Sequence, residues 1–176
     1  FGRRGLAAGS LEGRATGTEG GRKAAEFIAA EMERHGLRPG GDDGYFQRVP
    51  LARSTTGGRE RITLLRSWEE YEAAPQASRY IDANVIGVLP GADLALRDEA
   101  IVVAAHYDHV GIGRPDETGD SIYNGADDDA SGVVAMLEIA RALADGPAPR
   151  RTIVFLAAAA EEVGMLGTVW YLDHPT

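Results

Sequence analysis

The sequence contains no cysteine. That excludes a disulfide framework, a thiolate nucleophile and thiolate metal ligands. Any metal site must therefore be built from carboxylates and the four histidines. Positive charge is also short: 18 Lys and Arg stand against 27 Asp and Glu, for a net charge of −9. Nucleic acid and anionic membrane surfaces require a basic face, so neither is expected as a partner. No apolar run approaches the ~18–20 residues of a membrane-spanning helix. The longest, Thr152 to Ala160, suits a buried strand. There is no internal repeat and no low-complexity tract. The chain opens at Phe1 with neither Met nor an apolar leader, which leaves export undecided.

What is present fits one domain with a real core. The 176 residues are 44% apolar and 26% charged, ordinary values for a globular chain. Glu19 to His35 reads as an amphipathic helix, with Ala24, Phe27, Ile28 and Met32 at helical spacing and Gly36 placed to end it. Tyr45 to Leu51 and Arg61 to Arg66 read as short strands, a hairpin or edge pair. Ser67 to Ser78 reads as a surface segment. Three apolar runs follow: Asn84 to Leu89, Ile101 to Ala105 and Ile153 to Ala159. Between the last two lies a helix, about Ala130 to Ala144, striped by Val133, Val134, Leu137, Ala140 and Ala144. Strand, helix, strand with continuous apolar strands predicts a sheet covered on both faces and a right-handed crossover.

Polar clusters stand at the ends of these runs. His106 and Asp108 follow one strand, Glu161 and Glu162 follow another, and Asp127 to Asp129 precede the crossover helix. In open α/β sheets ligands sit beyond the carboxyl ends of the strands, so the three clusters are expected at one edge. A borderline cation needs convergent imidazole nitrogens and carboxylate oxygens. His106 can supply a nitrogen, and Asp108 can hold the other ring nitrogen. An isolated His-x-Asp is equally the pattern of an ordinary polar contact. One Asp of the triple suffices to cap a helix. The others leave carboxylate to spare for a metal. A Glu pair after an apolar strand is either a solvated strand end or a ligand beside a general base.

Three segments together are more specific: His106-Tyr-Asp-His-Val-Gly111, Tyr123-Asn-Gly-Ala-Asp-Asp-Asp-Ala-Ser-Gly132 and Glu161-Glu-Val-Gly-Met-Leu-Gly167. They resemble the co-catalytic di-zinc aminopeptidases, the bacterial secreted leucyl-type enzymes related to glutamate carboxypeptidase and glutaminyl cyclase. Leu11-Glu-Gly-Arg-Ala-Thr-Gly-Thr18 and Gly36-Leu-Arg-Pro39 are similar to that family's opening. The resemblance implies a three-layer α/β/α fold with a mixed, largely parallel central sheet. It implies that residues 1–176 are the N-terminal part of a single catalytic domain, and the stretch from Leu51 to Asn84 is too short for an inserted protease-associated domain. It implies two zinc ions in a complete site, with His106, Asp128 and Glu162 as ligands and Asp128 bridging. Asp108 is then the orienting partner of His106, and Glu161 the general base. A cis peptide at Asp128–Asp129 also follows from the resemblance. The implied substrate is a peptide with a free N-terminus, and the implied location is secreted or periplasmic.

The sequence departs from the family in one respect. A further Asp and a distal His complete the family's site, and Thr176 comes fourteen residues after Glu162. Asp173 and His174 stand too close to Glu162 to match them. They read as the end of a final helix. His109 belongs to a common variant of the first motif and is not counted as a ligand, and His35 reads as structural. The expectation is an apparently truncated catalytic domain that binds zinc weakly, has little activity and self-associates through unpaired strand edges. Two alternatives remain open: a carboxypeptidase or glutaminyl cyclase relative, and a non-catalytic interaction or receptor-type homologue.

Overall fold

Local signals set the first helix. The Thr18 hydroxyl accepts the backbone N–H of Gly21 at its start, and Gly36, at φ 75°, ends it. A computed structural model describes residues 5–176 apart from residue 97. In chain order the elements are α1 (Glu19–Arg34), β1 (Arg38–Pro39), β2 (Phe46–Thr56), β3 (Arg59–Leu64), α2 (Trp68–Ala73), β4 (Arg79–Leu89), β5 (Ala100–His106), β6 (Gly111–Ile112), β7 (Ile122–Tyr123), α3 (Ser131–Ala144), β8 (Thr152–Ala158) and α4 (Leu166–Asp173). A 3-10 stretch, Gly9–Arg14, precedes α1. The expected hairpin is β2–β3. It turns through Gly57 and Gly58, both at positive φ, and Thr56 pairs with Arg59 across that two-residue loop.

The sheet runs β3-β2-β4-β8-β5, with β1 also on β4, and β6 pairs with β7 apart from it. The α/β class and the mixed sheet are as expected. The parallel majority is not: among the described residues only β5 and β8 run parallel. An apolar run carries no direction. Only the β5–α3–β8 crossover, with a helix between its strands, forces parallel pairing.

Helices cover both faces of the sheet. Ala24, Ile28 and Met32 of α1 and Val133, Met136, Leu137 and Ala140 of α3 share one buried cluster with Val85, Phe155 and Ala157. On the other side Ile86, Val154, Leu156 and Ala158 pack with Tyr171 of α4. Each large side chain so buried contributes about 1.5–3 kcal/mol. The central strand β8 is buried on both faces, as its unbroken apolar run predicts. β5 is not, although its run looks the same. It is an edge strand, and Ile101 and Val102 are 49% and 46% exposed. The parallel register puts His106 opposite Ala158, so the last residues of β5 and β8 finish level at one edge.

Candidate metal centre

His106 is the last residue of β5. Its Nδ1 lies 3.1 Å from the carbonyl oxygen of Asp108, which accepts a hydrogen bond from that nitrogen and turns the other one outward. The freed Nε2 faces Asp128 Oδ1 at 3.0 Å and Glu161 Oε2 at 3.8 Å. The other oxygen of Asp128 faces His109 Nδ1 at 3.9 Å, and that nitrogen is 2.6 Å from Glu162 Oε1. One carboxylate thus lies between two imidazoles, with one glutamate beside each ring. Ligand atoms of His109, Asp128 and Glu162 all fall within 4.8 Å of one another. The three clusters expected at one edge do meet there.

The three aspartates divide their work. Asp129 Oδ1 accepts the backbone N–H of Gly132 at 3.0 Å, and its Oδ2 accepts the His106 N–H at 3.2 Å. It therefore caps the start of α3 and ties it to the end of β5. Gly132 is required there, because a Cβ would come within 2.2 Å of that carboxylate. The Asp127 carbonyl accepts the Ser131 hydroxyl. Asp128 is left facing the rings, and the Asp128–Asp129 peptide is cis.

Asp108 meets the His106 ring, as expected of its orienting partner, but through its backbone. Its backbone carbonyl, not its carboxylate, holds the His106 ring, and Oδ1 is 3.8 Å from Nδ1. The carboxylate instead accepts the backbone N–H of Glu161 at 3.0 Å, that of Glu162 at 3.2 Å and the Thr16 hydroxyl at 3.1 Å. It bolts the loop after β8 to the loop after β5. Burial pushes its carboxyl above the usual range, and the donors to it work against that shift. On the far side of the same turn, buried Asn84 accepts the Ala159 N–H and donates to the Gly167 carbonyl.

Sequence reasoning missed Arg14. Its side chain is fully buried, and its guanidinium donates to four backbone carbonyls: Tyr107 at 2.7 Å, Leu6 and Asn124 at 2.6 Å, and Gly125 at 2.9 Å. Its own carbonyl accepts the His109 N–H. Arg14 thus joins the loop that follows His106 and carries His109 to the loop that carries Asp128. Burial lowers its pKa, while Asp108, Asp128 and Asp129 act to raise it. Its place within Leu11-Glu-Gly-Arg-Ala-Thr-Gly-Thr18 was the available signal, but its partners lie too far along the chain to name from sequence.

The other histidines are structural. His174 stacks on Trp170 at 3.8 Å and its Nδ1 meets the Trp170 carbonyl, while Asp173 pairs with Arg66. His35 caps α1. The donor set at the edge is therefore two imidazoles and several carboxylates without sulfur, which suits a borderline divalent cation such as zinc.

Residues 84–176, more than half of the chain, match the profile of peptidase family M28. The chain belongs to that family. Among its M28 relatives, aminopeptidase YwaD of Bacillus subtilis is 37% identical over 91 residues, a match covering 52% of this chain and 17% of that protein. In three dimensions the chain is similar to BSAP, a zinc aminopeptidase from Bacillus subtilis. The TM-score is 0.65 at 19% identity, over 97% of this chain and 63% of that one. A glutaminyl cyclase from Tannerella forsythia superimposes with a TM-score of 0.60 at 21% identity, over 97% and 53%. At such identities the likeness shows the fold alone. The chain spans less than two thirds of each of these relatives. His106, His109, Asp128, Glu161 and Glu162 all lie inside the M28 match, whereas Arg14 and Thr16 lie before it.

Proposed function

We propose that this chain carries part of the active site of a zinc-dependent exopeptidase, foremost an aminopeptidase acting on peptides with a free N-terminus. In this reading His106, Asp128 and Glu162 would hold the zinc, with Asp128 shared between the two halves of the site. Asp108 positions them, and Glu161 is the general base. The observation that carries the reading is Asp128, whose two oxygens face two different imidazoles. A helix cap would not produce that arrangement, and Asp129 already does the capping.

Bound zinc supplies Lewis acidity and lowers the pKa of water toward ~7. The chain's own residues supply the rest. Asp108 keeps His106 Nε2 unprotonated toward the site by accepting a hydrogen bond at Nδ1 through its carbonyl. Its carboxylate fixes the backbone of Glu161 and Glu162, so that the two side chains diverge. Glu162 is engaged with His109. Glu161 Oε2, 3.8 Å from His106 Nε2, remains to take a proton from the attacking water and pass it to the leaving amine.

The preference for an aminopeptidase rests on the relatives named above. The likeness to a glutaminyl cyclase keeps that chemistry as the second reading. The family resemblance implies a secreted or periplasmic location, and no helix among the described residues is long and apolar enough to cross a membrane. The half-exposed edge strand β5 supports self-association.

Glu161→Gln tests the assignment. In a protein that carries this segment together with the rest of the site, it should leave zinc content unchanged and lower turnover of leucine p-nitroanilide by about 10²–10⁴-fold. Unchanged turnover would remove Glu161 from the chemistry. Conversion of an N-terminal glutaminyl peptide to its cyclic form, without release of p-nitroaniline, would move the assignment to the second reading.

A further inference from the structure

We infer that the outer edge of β3 takes an extended peptide with alternating acidic and apolar side chains as an added strand, and that this peptide is the tail of the substrate. Only the identity of the occupant rests on the exopeptidase reading.

β3 ends the sheet on the side away from β5, with β2 as its neighbour. Leu65, just past β3, donates its N–H to the Pro50 carbonyl of β2 at 3.0 Å. Arg53, opposite Ile62, donates not to β3 but to the Ser78 carbonyl at 2.8 Å. In an antiparallel ladder the amides alternate in direction, so Arg59, Arg61 and Thr63 turn theirs to β2. Glu60, Ile62 and Leu64 turn theirs off the sheet, a row of donors and acceptors with no strand beside it.

A groove of about 520 Å³ follows this edge. Ile62 and Leu64 line it from β3, and Val163, Gly164 and Leu166 line it from the loop before α4. Val163 is next in the chain to Glu162, so the groove reaches to one residue from the metal centre. The hairpin stands on the same side. Val85 of β4 pairs with Ala157 near the end of β8, and the part of β4 before it pairs with β2 alone. Leu51 and Leu64, in register with Tyr80, therefore lie beyond the end of β8. Three strand spacings separate β8 from β3, about 14 Å, which an extended chain crosses in about four or five residues.

The chemistry of the edge selects its occupant. In a chain of net charge −9, Arg59 and Arg61 are exposed and have no ion pair among the described residues. The acid between them, Glu60, is already paired with Arg53 at 3.4 Å. Side chains of an added strand alternate in direction, one set beside the two arginines and the other over the apolar groove. Acidic residues suit the first set and apolar residues the second. A second copy of β3 suits neither, because antiparallel self-pairing sets the arginines of one copy against those of the other.

The test is fluorescence anisotropy of a labelled, N-acetylated peptide of alternating Glu and Val, added to the zinc-free protein. Acetylation removes the free amine, so the signal reads the edge and not the metal centre. Wild type should bind this peptide, less tightly as salt is raised. Arg61→Glu should weaken binding by about three- to tenfold. Glu60→Pro removes an outward N–H and leaves the ladder to β2 intact, as a strand edge permits, and should weaken binding by about fivefold. N-methylation of alternate peptide residues should weaken it by about tenfold. That change is made in the peptide, so it decides even where a protein variant does not fold. The tail is tested in a protein that carries this segment together with the rest of the site. A substrate with N-terminal Leu, a spacer of about five residues and the Glu-Val tail should have a lower KM than its Lys-Val counterpart, at equal kcat.

Absence of binding by wild type, or equal binding of the N-methylated peptide, would overturn the inference. So would equal KM for the two tails, or a wild-type dimer that the peptide does not dissociate, which would give the edge to a second copy. Peptide binding at the edge by a protein that neither holds zinc nor cleaves either substrate would overturn the exopeptidase reading and leave the added strand standing.

Discussion

His106 and His109 stand three residues apart and flank the same carboxylate, yet different physics holds each. His106 ends β5, whose seven residues pair in parallel register with β8. Its backbone is fixed by the ladder, its N–H by Asp129 and its ring by the Asp108 carbonyl. His109 has left the sheet. Its position comes from the Arg14 carbonyl, the space cleared by Gly125 and the carboxylate of Glu162. One half of the site is thus set by secondary structure. The other is set by a buried polar network that reaches in from the N-terminal segment. That asymmetry predicts which changes reach both halves and which reach one.

The largest effect should come from Arg14→Met. The change leaves the carbonyls of Leu6, Tyr107, Asn124 and Gly125 without their donor, the first two in buried bonds and the last two in half-buried ones. Each such loss costs about 1–3 kcal/mol. Part of it is relieved by relaxation, so a loss of about 3–5 kcal/mol is expected in urea unfolding. Arg14→Lys should recover only a fraction, because one ammonium cannot span four carbonyls in three segments of the chain. A change below about 1 kcal/mol for Arg14→Met would show that the sheet alone positions both histidines.

Asp128→Asn should rank next and act differently. Its side chain is 63% exposed and faces the two imidazoles. Unfolding stability without metal should therefore hardly move. Zinc affinity should fall at both halves together, by about 100-fold or more, beyond the ~10–100-fold that loss of a supporting residue costs. Competition with a chelator reads this directly. Loss at one half only would mean that Asp128 serves a single ion, and the symmetry between His106 and His109 would be gone.

The sequence was most informative where local pattern decides structure. The helix from Glu19, the Gly57-Gly58 hairpin, α3 and the β5–α3–β8 crossover all follow from period, turn chemistry and caps. So does the meeting of His106, Asp128, Glu161 and Glu162, because strand ends in a crossover unit share an edge. Strand direction was not legible, since β4 and β8 carry similar apolar runs and pair antiparallel. Nor was the exposure of β5, which depends on its being an edge strand and not on its composition. The buried network was hidden for another reason: Arg14 and Asn124 are 110 positions apart, and Asn84 and Ala159 are 75. Asp108 shows both sides. Its closeness to His106 was readable from the spacing, but its carboxylate serves the Glu161 and Glu162 backbone, a choice made by packing.

The smallest and most selective effect is expected from Thr16→Val. The exchange keeps the shape and removes one donor, the hydroxyl that reaches Asp108 Oδ2. The two backbone donors from Glu161 and Glu162 remain, so the cost should be about 0.5–1.5 kcal/mol. Its pH dependence identifies the partner. Burial holds the folded Asp108 carboxyl above its unfolded value. Ionising it therefore takes stability away as pH rises through the folded pKa, and Thr16 offsets part of that loss. Below the unfolded pKa the carboxyl is neutral in both states and the hydroxyl matters less. The stability gap between Thr16→Val and wild type should be widest near neutral pH and narrow in acid. A gap independent of pH would mean that Thr16 acts by packing, and that the loop carrying Glu161 and Glu162 does not depend on a segment ninety-two positions before Asp108.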